Sequence, residues 1–442
     1  MYNPLTAVAG IAMLALLIAT FTAMTRYKAP QALAMPLLAC AFLVIQGTSA
    51  GEILRIGFGH FSAIAILFTA VAIPAHMIDR SLGFQWFAAR AGGALGHVTL
   101  HYSKLALPSM ITAVLITTYV LAAFLHNVTS ILIMAPIVIR LCMKYGIQSR
   151  WILSGTLVAS NLGGFTTRWG DTPNIVEAQT FGLTNHDFTF QVLPANLVVL
   201  LFLIFVVIML TRRSSVSDST PSDSMHRDLS LALKASEYAR EMIDMVVDKR
   251  LLILGLAVLA GFIVLQAAFP GFQIAIGAAT ICLAILLERK KERLGTLKSL
   301  GYDVYLIFAA VFVLAACVEH SWIGMVLQKV IQGTHAAPWA IALTGTLGTI
   351  STEAASWATV AAARIFPLDS SHTAAWALGS GICAGSSAIV TAASAGIILC
   401  EESRKFQDPK HEITFRNYLV FGLPIALFML LFYICYFSIF RY

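Results

Sequence analysis

The sequence predicts an all-α polytopic membrane protein. It reads as an inverted-topology repeat with about ten crossing helices, two re-entrant hairpins and two broken helices. Three observations predict this. Hydrophobic residues make up 58% of the 442 and charged residues only 12%, against roughly 25% charged in a soluble chain. Mean hydropathy is +0.81, and apolar runs of bilayer-crossing length, about 20 residues, recur along the chain. Finally, each half holds apolar stretches interrupted by small, polar or charged residues. Lipid cannot satisfy free backbone groups, so such breaks persist only where protein buries them or where they line a cavity.

The elements follow in order. Leu5–Ala23 lacks a basic leader and is long enough to span, so it is expected to be a first helix and not a cleaved signal. Ala32–Thr48 and Phe61–Ile78 are the next crossings. Residues 105–142 are apolar with a polar middle at Asn127, Thr129 and Ser130, which predicts a hairpin entering and leaving on one side. Residues 151–180 form a broken crossing, interrupted by Gly163, Gly164, Gly170 and Pro173. Val192–Leu210 closes the first half, residues 1–210. A linker, 211–250, opens on polar SSVSDSTPSDS and continues as an amphipathic surface segment, Asp228–Lys249. It is read as a tether between halves; a regulatory or lipid-contacting segment is the alternative. The second half, 251–442, has crossings at 251–267, 272–287 and 304–318. A second hairpin at 337–366, a second broken crossing at 372–399 and a last crossing at 418–440 complete it.

Charge fixes the expected orientation. Arg212, Arg213, Arg227, Lys234, Arg240, Lys249 and Arg250 fall in one loop, and Arg289, Lys290, Lys291, Arg293 and Lys298 in another. With ten crossings and two hairpins, these and the smaller basic clusters share one side. That side is expected to be cytoplasmic, with both termini outside. The net charge of +7 therefore belongs to loops and points to no nucleic-acid partner. The seven cysteines show no metal spacing or disulfide framework. With no nucleotide loop or nucleophile constellation visible, an enzyme is not expected, nor a cofactor or metal site.

An internal repeat supports the architecture. Residues 67–84 align with 307–324, matching Phe68 to Phe308, Ala75 to Ala315 and Asp79 to Glu319. The expected topology puts Asp79 at the inner face and Glu319 at the outer face, as an inverted repeat requires. Paired broken segments in two such halves mark a secondary transporter with its site near the midplane.

The breaks supply the candidate site. At the first tip stand His126, Asn127 and Thr129, and in the first break Thr166, Thr167, Arg168, Asp171, Thr172 and Asn174. The second half offers Thr352, Glu353 and Ser356, then Ser386, Ser387, Thr391 and Ser394. Hairpin tips present free N–H groups to anions and free C=O groups to cations. Charged residues at this depth are costly and by default functional. Arg168 can pair with Asp171, with Glu353 or with an anionic substrate; the sequence leaves all three open. His126 titrates near neutral pH unaided. Glu177 is read as lying beyond the break, at the outer interface.

AFLHNVTSILIMAPIVI (123–139) and NLGGFTTRWGDTPNIV (161–176) resemble the paired signatures of the ion transporter superfamily. That group joins arsenite permeases, sodium–proton antiporters, the P-protein and citrate or dicarboxylate carriers. The arsenite permease and P-protein branch is the most similar. TAASAGIIL (391–399) resembles the second-half break, and residues 303–324 resemble the helix opening that half. The resemblance implies a homodimer in which a moving transport part works against a scaffold, elevator-fashion in the carboxylate branch. The family asparagine maps to Asn127, and its G-D-x-P-N stretch to Gly170, Asp171, Pro173 and Asn174. The chain departs from the pattern at His126, where aspartate is usual, at Arg168, where a small or apolar residue is usual, and at the second tip, Ser351-Thr352-Glu353. A fixed guanidinium and a lost carboxylate disfavour sodium, so H+ coupling or exchange is expected over Na+. The expected function is a secondary active transporter of a small anion, a carboxylate or oxyanion, in a bacterial inner membrane. The alternative is a monovalent cation–proton antiporter using Asp171 and Glu353; a channel or receptor-like protein is a third class.

Overall fold

The computed structural model describes residues 4–26, 31–83, 86, 106–125, 127–145, 147–168, 170–216, 247–269, 272–298, 300 and 302–439. Among these, every regular element is helical. The first half runs α1 (Pro4–Arg26), α2 (Gln31–Gln46), α3 (Ala50–Arg80), α4 (Ala106–Leu125), α5 (Asn127–Tyr145), α6 (Arg150–Thr166), α7 (Thr172–Phe181) and α8 (Leu193–Val216). The second runs α9 (Lys249–Ala268), α10 (Gln273–Leu287), α11 (Arg293–Lys298), α12 (Tyr302–Glu319), α13 (Trp322–Gly333), α14 (Pro338–Ser351), α15 (Ala354–Ile365), α16 (His372–Ala388), α17 (Ser394–Lys405) and α18 (Phe415–Ile439).

Local chemistry sets several boundaries. Gly182 closes α7 in the left-handed region, at φ 72°, a conformation glycine takes without a Cβ penalty. A Thr184/Asp187 capping box then starts a short turn into the wide helical stretch Phe188–Val192, continuous with α8. Asp248 caps α9 by accepting from the N–H of Leu251. The third crossing begins at Ala50, earlier than hydropathy suggests. Glu52 and Arg55 lower the apolar signal there, but neither interrupts a helix. Likewise, the basic loop after α10 contains the short helix α11. The Asp228–Lys249 amphipathic segment lies almost entirely outside the described residues.

Packing around the two broken helices repeats between the halves. The α4 helix packs on α6 as α14 packs on α16, and α6 packs on α8 as α16 packs on α18. Across the halves, α5 packs on α17 and α15 on α7, while α2 packs on α12 and α10 on α3. The last two pairs build one body from α1–α3, α9, α10 and α12. Arg80 at the end of α3 bonds Glu288, Glu292 and Thr296, tying it to the α10–α11 corner.

Close helix approach in the other body rests on glycine. A Cβ on Gly163 would lie 2.1 Å from the carbonyl oxygen of Tyr119 on α4. Gly385, at the matching place in α16, meets the carbonyl oxygen of Thr346 on α14 at 2.7 Å. Small residues at such contacts let backbones approach where lipid supplies no hydrophobic drive between helices.

The exterior is apolar. Val44, Leu201, Phe205, Leu286, Val420 and Ile439 are all exposed, as lipid-facing positions are. Four described segments, Leu107–Phe124, Asn185–Ser214, Lys249–Gln266 and Phe415–Ile439, are each long and apolar enough to cross a membrane. The chain is an all-α polytopic membrane protein.

Candidate functional site

The first break opens where α6 ends. Thr167 is extended, at φ −126° and ψ 155°. The chain turns at Gly170 and re-enters helix at Asp171, whose Oδ1 accepts from the N–H of Thr172 at 2.8 Å. An N-cap carboxylate there satisfies a free donor and meets the positive end of the helix. Pro173 sits in the first turn, where its missing N–H costs nothing. Asn174 closes the break: its Nδ2 donates to the carbonyls of Gly164 (2.8 Å) and Thr167 (2.7 Å).

The first hairpin tip meets this break. Asn127 Nδ2 donates to Asp171 Oδ2 at 2.7 Å, and Thr167 Oγ1 donates to the Ala123 carbonyl at 2.6 Å. The Asn127 carbonyl accepts from Ser130 (2.7 Å) and Ser160 (2.9 Å). Asn127 and Asn174 thus converge on Gly164, which Asn174 bonds directly; a Cβ there would lie 3.5 Å from that of Asn127.

The second half repeats the arrangement with different chemistry. Glu353, between α14 and α15, accepts from the N–H of Ala355 at 3.0 Å through Oε2. Its Oε1 accepts from Ser394 Oγ at 3.0 Å, at the start of α17. In the first half, then, the tip gives an amide and the break a carboxylate. In the second, the tip gives the carboxylate and the break a hydroxyl. The α7 and α15 N-termini are both occupied by the protein's own carboxylates, so the sequence-expected anion sites at those two ends are already filled. Asp171 and Glu353 lie within electrostatic reach of each other.

Other expected site residues divide. Among the described residues, the buried hydroxyls of Thr129 and Thr391 have no hydrogen-bond partner, nor has Asn127 Oδ1. These oxygens leave acceptor capacity at both breaks. Thr172 is buried at the start of α7. Thr166 serves the scaffold of the site: it donates to the Leu162 carbonyl and meets Tyr119 and Asn196 at 2.7 and 2.9 Å. Thr352 and Ser386 bond carbonyls of their own helices. Ser387 donates to the Cys383 carbonyl and accepts from Asn161 Nδ2 at 3.3 Å, joining α16 to α6. His126 and the Ser356 side chain lie outside the described residues.

Arg168 is half-buried in the first break. Among the described residues it makes no hydrogen bond or salt bridge, so the pairs considered with Asp171 and Glu353 are not formed. Glu177 departs most from expectation. It is fully buried, and among the described residues neither carboxylate oxygen has a hydrogen-bond partner. It lies inside the protein and not on its surface. Asn161 and Asn196, buried polar residues holding the breaks in place, went unnoticed in the sequence, although an amide inside an apolar run was the available signal.

Paired helix breaks, each tied to a hairpin tip inside an apolar helical body, define a polytopic membrane protein of transporter architecture. The model of the citrate transporter family matches residues 3–381, and the chain belongs to that family. An uncharacterized transporter of Mycobacterium bovis is 30% identical over 230 residues, 52% of this chain and 48% of that protein. The chain therefore spans about half the length of the uncharacterized mycobacterial transporters it matches. The magnetosome protein MamN of Magnetospirillum gryphiswaldense is 27% identical over 449 residues, 94% of this chain and 96% of its own. The P protein of Sus scrofa is 35% identical over 99 residues, 21% of this chain and 12% of its own.

Proposed function

We propose that the protein is a secondary active transporter of a small anion, a carboxylate or oxyanion, with citrate the first candidate from the family's name. The carrying observation is Arg168: a guanidinium set in a helix break, half-buried, with no carboxylate partner among the described residues. A fixed cation in such a break suits an anionic substrate, bidentate if the substrate is a carboxylate. The buried hydroxyls of Thr129 and Thr391 add donors. Proton coupling or exchange is favoured over sodium coupling, because the carboxylates at the breaks are engaged in capping.

In this reading both tips and both breaks move as one elevator unit against the body of α1–α3, α9, α10 and α12. The protein works as a homodimer in a bacterial inner membrane. One observation favours a second reading: Asp171 and Glu353 approach each other across the two halves, as carboxylates sharing a monovalent cation or proton would.

Thermal stability of the purified protein separates the two. Citrate, dicarboxylates and oxyanions are screened with and without sodium. A bound anion at about 100 times its Kd stabilises by about 2.7 kcal/mol. The anion reading expects such a rise with at least one anion in sodium-free buffer. Stabilisation by sodium or potassium alone, with pH-dye exchange driven by those cations, overturns it in favour of the antiporter.

A further inference from the structure

We propose that Glu177 is a proton-binding site of the transport unit, carried as a neutral acid in this conformation and discharged when water reaches the seam between α7 and α16. This rests on the transporter reading for its role and on the following geometry for its existence.

Glu177 is 0% exposed, and among the described residues both carboxylate oxygens lack a hydrogen-bond partner. Among the described residues it has no salt bridge. Ionised, it would be a bare buried charge, and such groups neutralise instead. The site is also shaped for it. A Cβ on Gly379 would lie 2.4 Å from Glu177 Oε2, so the glycine makes the room that the carboxyl fills.

The internal repeat supplies a control. Glu177 is the sixth residue of α7, and the sixth of α17 is Leu399. Gly379 is the eighth residue of α16, and the eighth of α6 is Leu157. The α6–α17 seam matches the α16–α7 seam, and Leu399 and Leu157 are both fully buried. The same place in the other half is thus leucine opposite leucine. Packing alone does not call for a carboxyl there.

The titratable and charged groups on the described elements around it are these. Asp171 starts the same helix and lies within electrostatic reach of Glu177. On the elements packed against α7, Glu353 precedes α15 and Arg364 ends it, while α16 carries His372 at its start and Cys383. Asp171 opens to the break, so a proton leaving Glu177 has an acceptor on the same helix. Uptake and release move only a proton between carboxylate and acid, with no other bond changed.

Two measurements on the full chain in lipid test this without knowledge of the substrate. Infrared difference spectra between two pH values, in H2O and D2O, should show the carbonyl stretch of a protonated acid in dry surroundings. Glu177→Gln should remove that band and Glu177→Asp shift it; a band that survives Glu177→Gln overturns the proposal. Glu177→Leu, which installs the residue of the matching seam, should melt no lower than wild type. A fall would reveal an ionic partner and overturn it too. A third arm uses citrate uptake into proteoliposomes under an imposed pH gradient, where Glu177→Gln should lose the response to the gradient. An undiminished response overturns the proton role. If wild type takes up no citrate, dicarboxylate or oxyanion, the transport reading fails, and the spectra and melting decide the proton site alone.

Discussion

Arg168 is where the two candidate functions part. Its side chain is half-buried and has no ion pair among the described residues, so Arg168→Ala should change stability by no more than about 0.5 kcal/mol. Loss of a substrate contact should cost transport at least about tenfold, or 1.4 kcal/mol. Arg168→Lys keeps part of the activity only if a point charge replaces the planar fork. The doubles Arg168→Ala with Asp171→Asn, and with Glu353→Gln, should rescue nothing. Recovery of transport in either would mean that the guanidinium neutralises a carboxylate. At the same scale lies His411, in the loop between α17 and α18. It is buried, with Nδ1 3.0 Å from Ser149 Oγ and Nε2 3.8 Å from Asp408. Burial lowers its titration below the usual 6.5, with Asp408 opposing and Lys410 assisting. The folded state therefore prefers the neutral ring. The stability it contributes is full above pH 6.5 and lost as pH falls through the lower folded value. Melting of wild type should drop over that acidic window, and His411→Gln should flatten the drop.

Helices of this protein are legible where chemistry punctuates them. Gly170 and Pro173 mark the first break, and the polar tips at Asn127 and Thr352–Glu353 mark where α4 gives way to α5 and α14 to α15. Clusters of such small, polar and charged residues are costly in a lipid-facing helix, so the positions of the breaks can be read from composition. What composition does not carry is which face each helix buries. That Glu177 is buried is not legible, because hydropathy does not report direction; only the packing of α7 on α16 places its side chain inside the protein. The candidate site was legible in its members but not in its pairings. Asn127 with Asp171 and Glu353 with Ser394 join residues some forty positions apart. The glycine seams belong to this scale as well. Gly163→Ala would push a methyl against the Tyr119 carbonyl and should cost about 1–3 kcal/mol. Gly295, whose added Cβ meets nothing within 4 Å, serves as the tolerant control. Equal melting of the two variants would refute the close α4–α6 contact.

For the whole molecule, the correspondence of packing between halves reaches further than the short sequence repeat. It pairs the main contacts of the first broken helix with those of the second, including contacts made across the halves. An inverted repeat with ten crossings would place loops 211–250 and 289–298 on one side, with both termini opposite. Single cysteines in a cysteine-free background report this: a reagent that cannot cross the membrane should label position 219 only from the cytoplasmic side. The central claim, that the two breaks form one anion carrier, is tested most directly by counterflow. Wild type and Arg168→Ala are reconstituted in sodium-free proteoliposomes loaded with unlabelled citrate, dicarboxylate or oxyanion and challenged with the labelled species. Wild type should accumulate at least one label transiently and Arg168→Ala none. Absence of counterflow for every anion, together with cation-driven proton exchange by the same vesicles, would contradict the account.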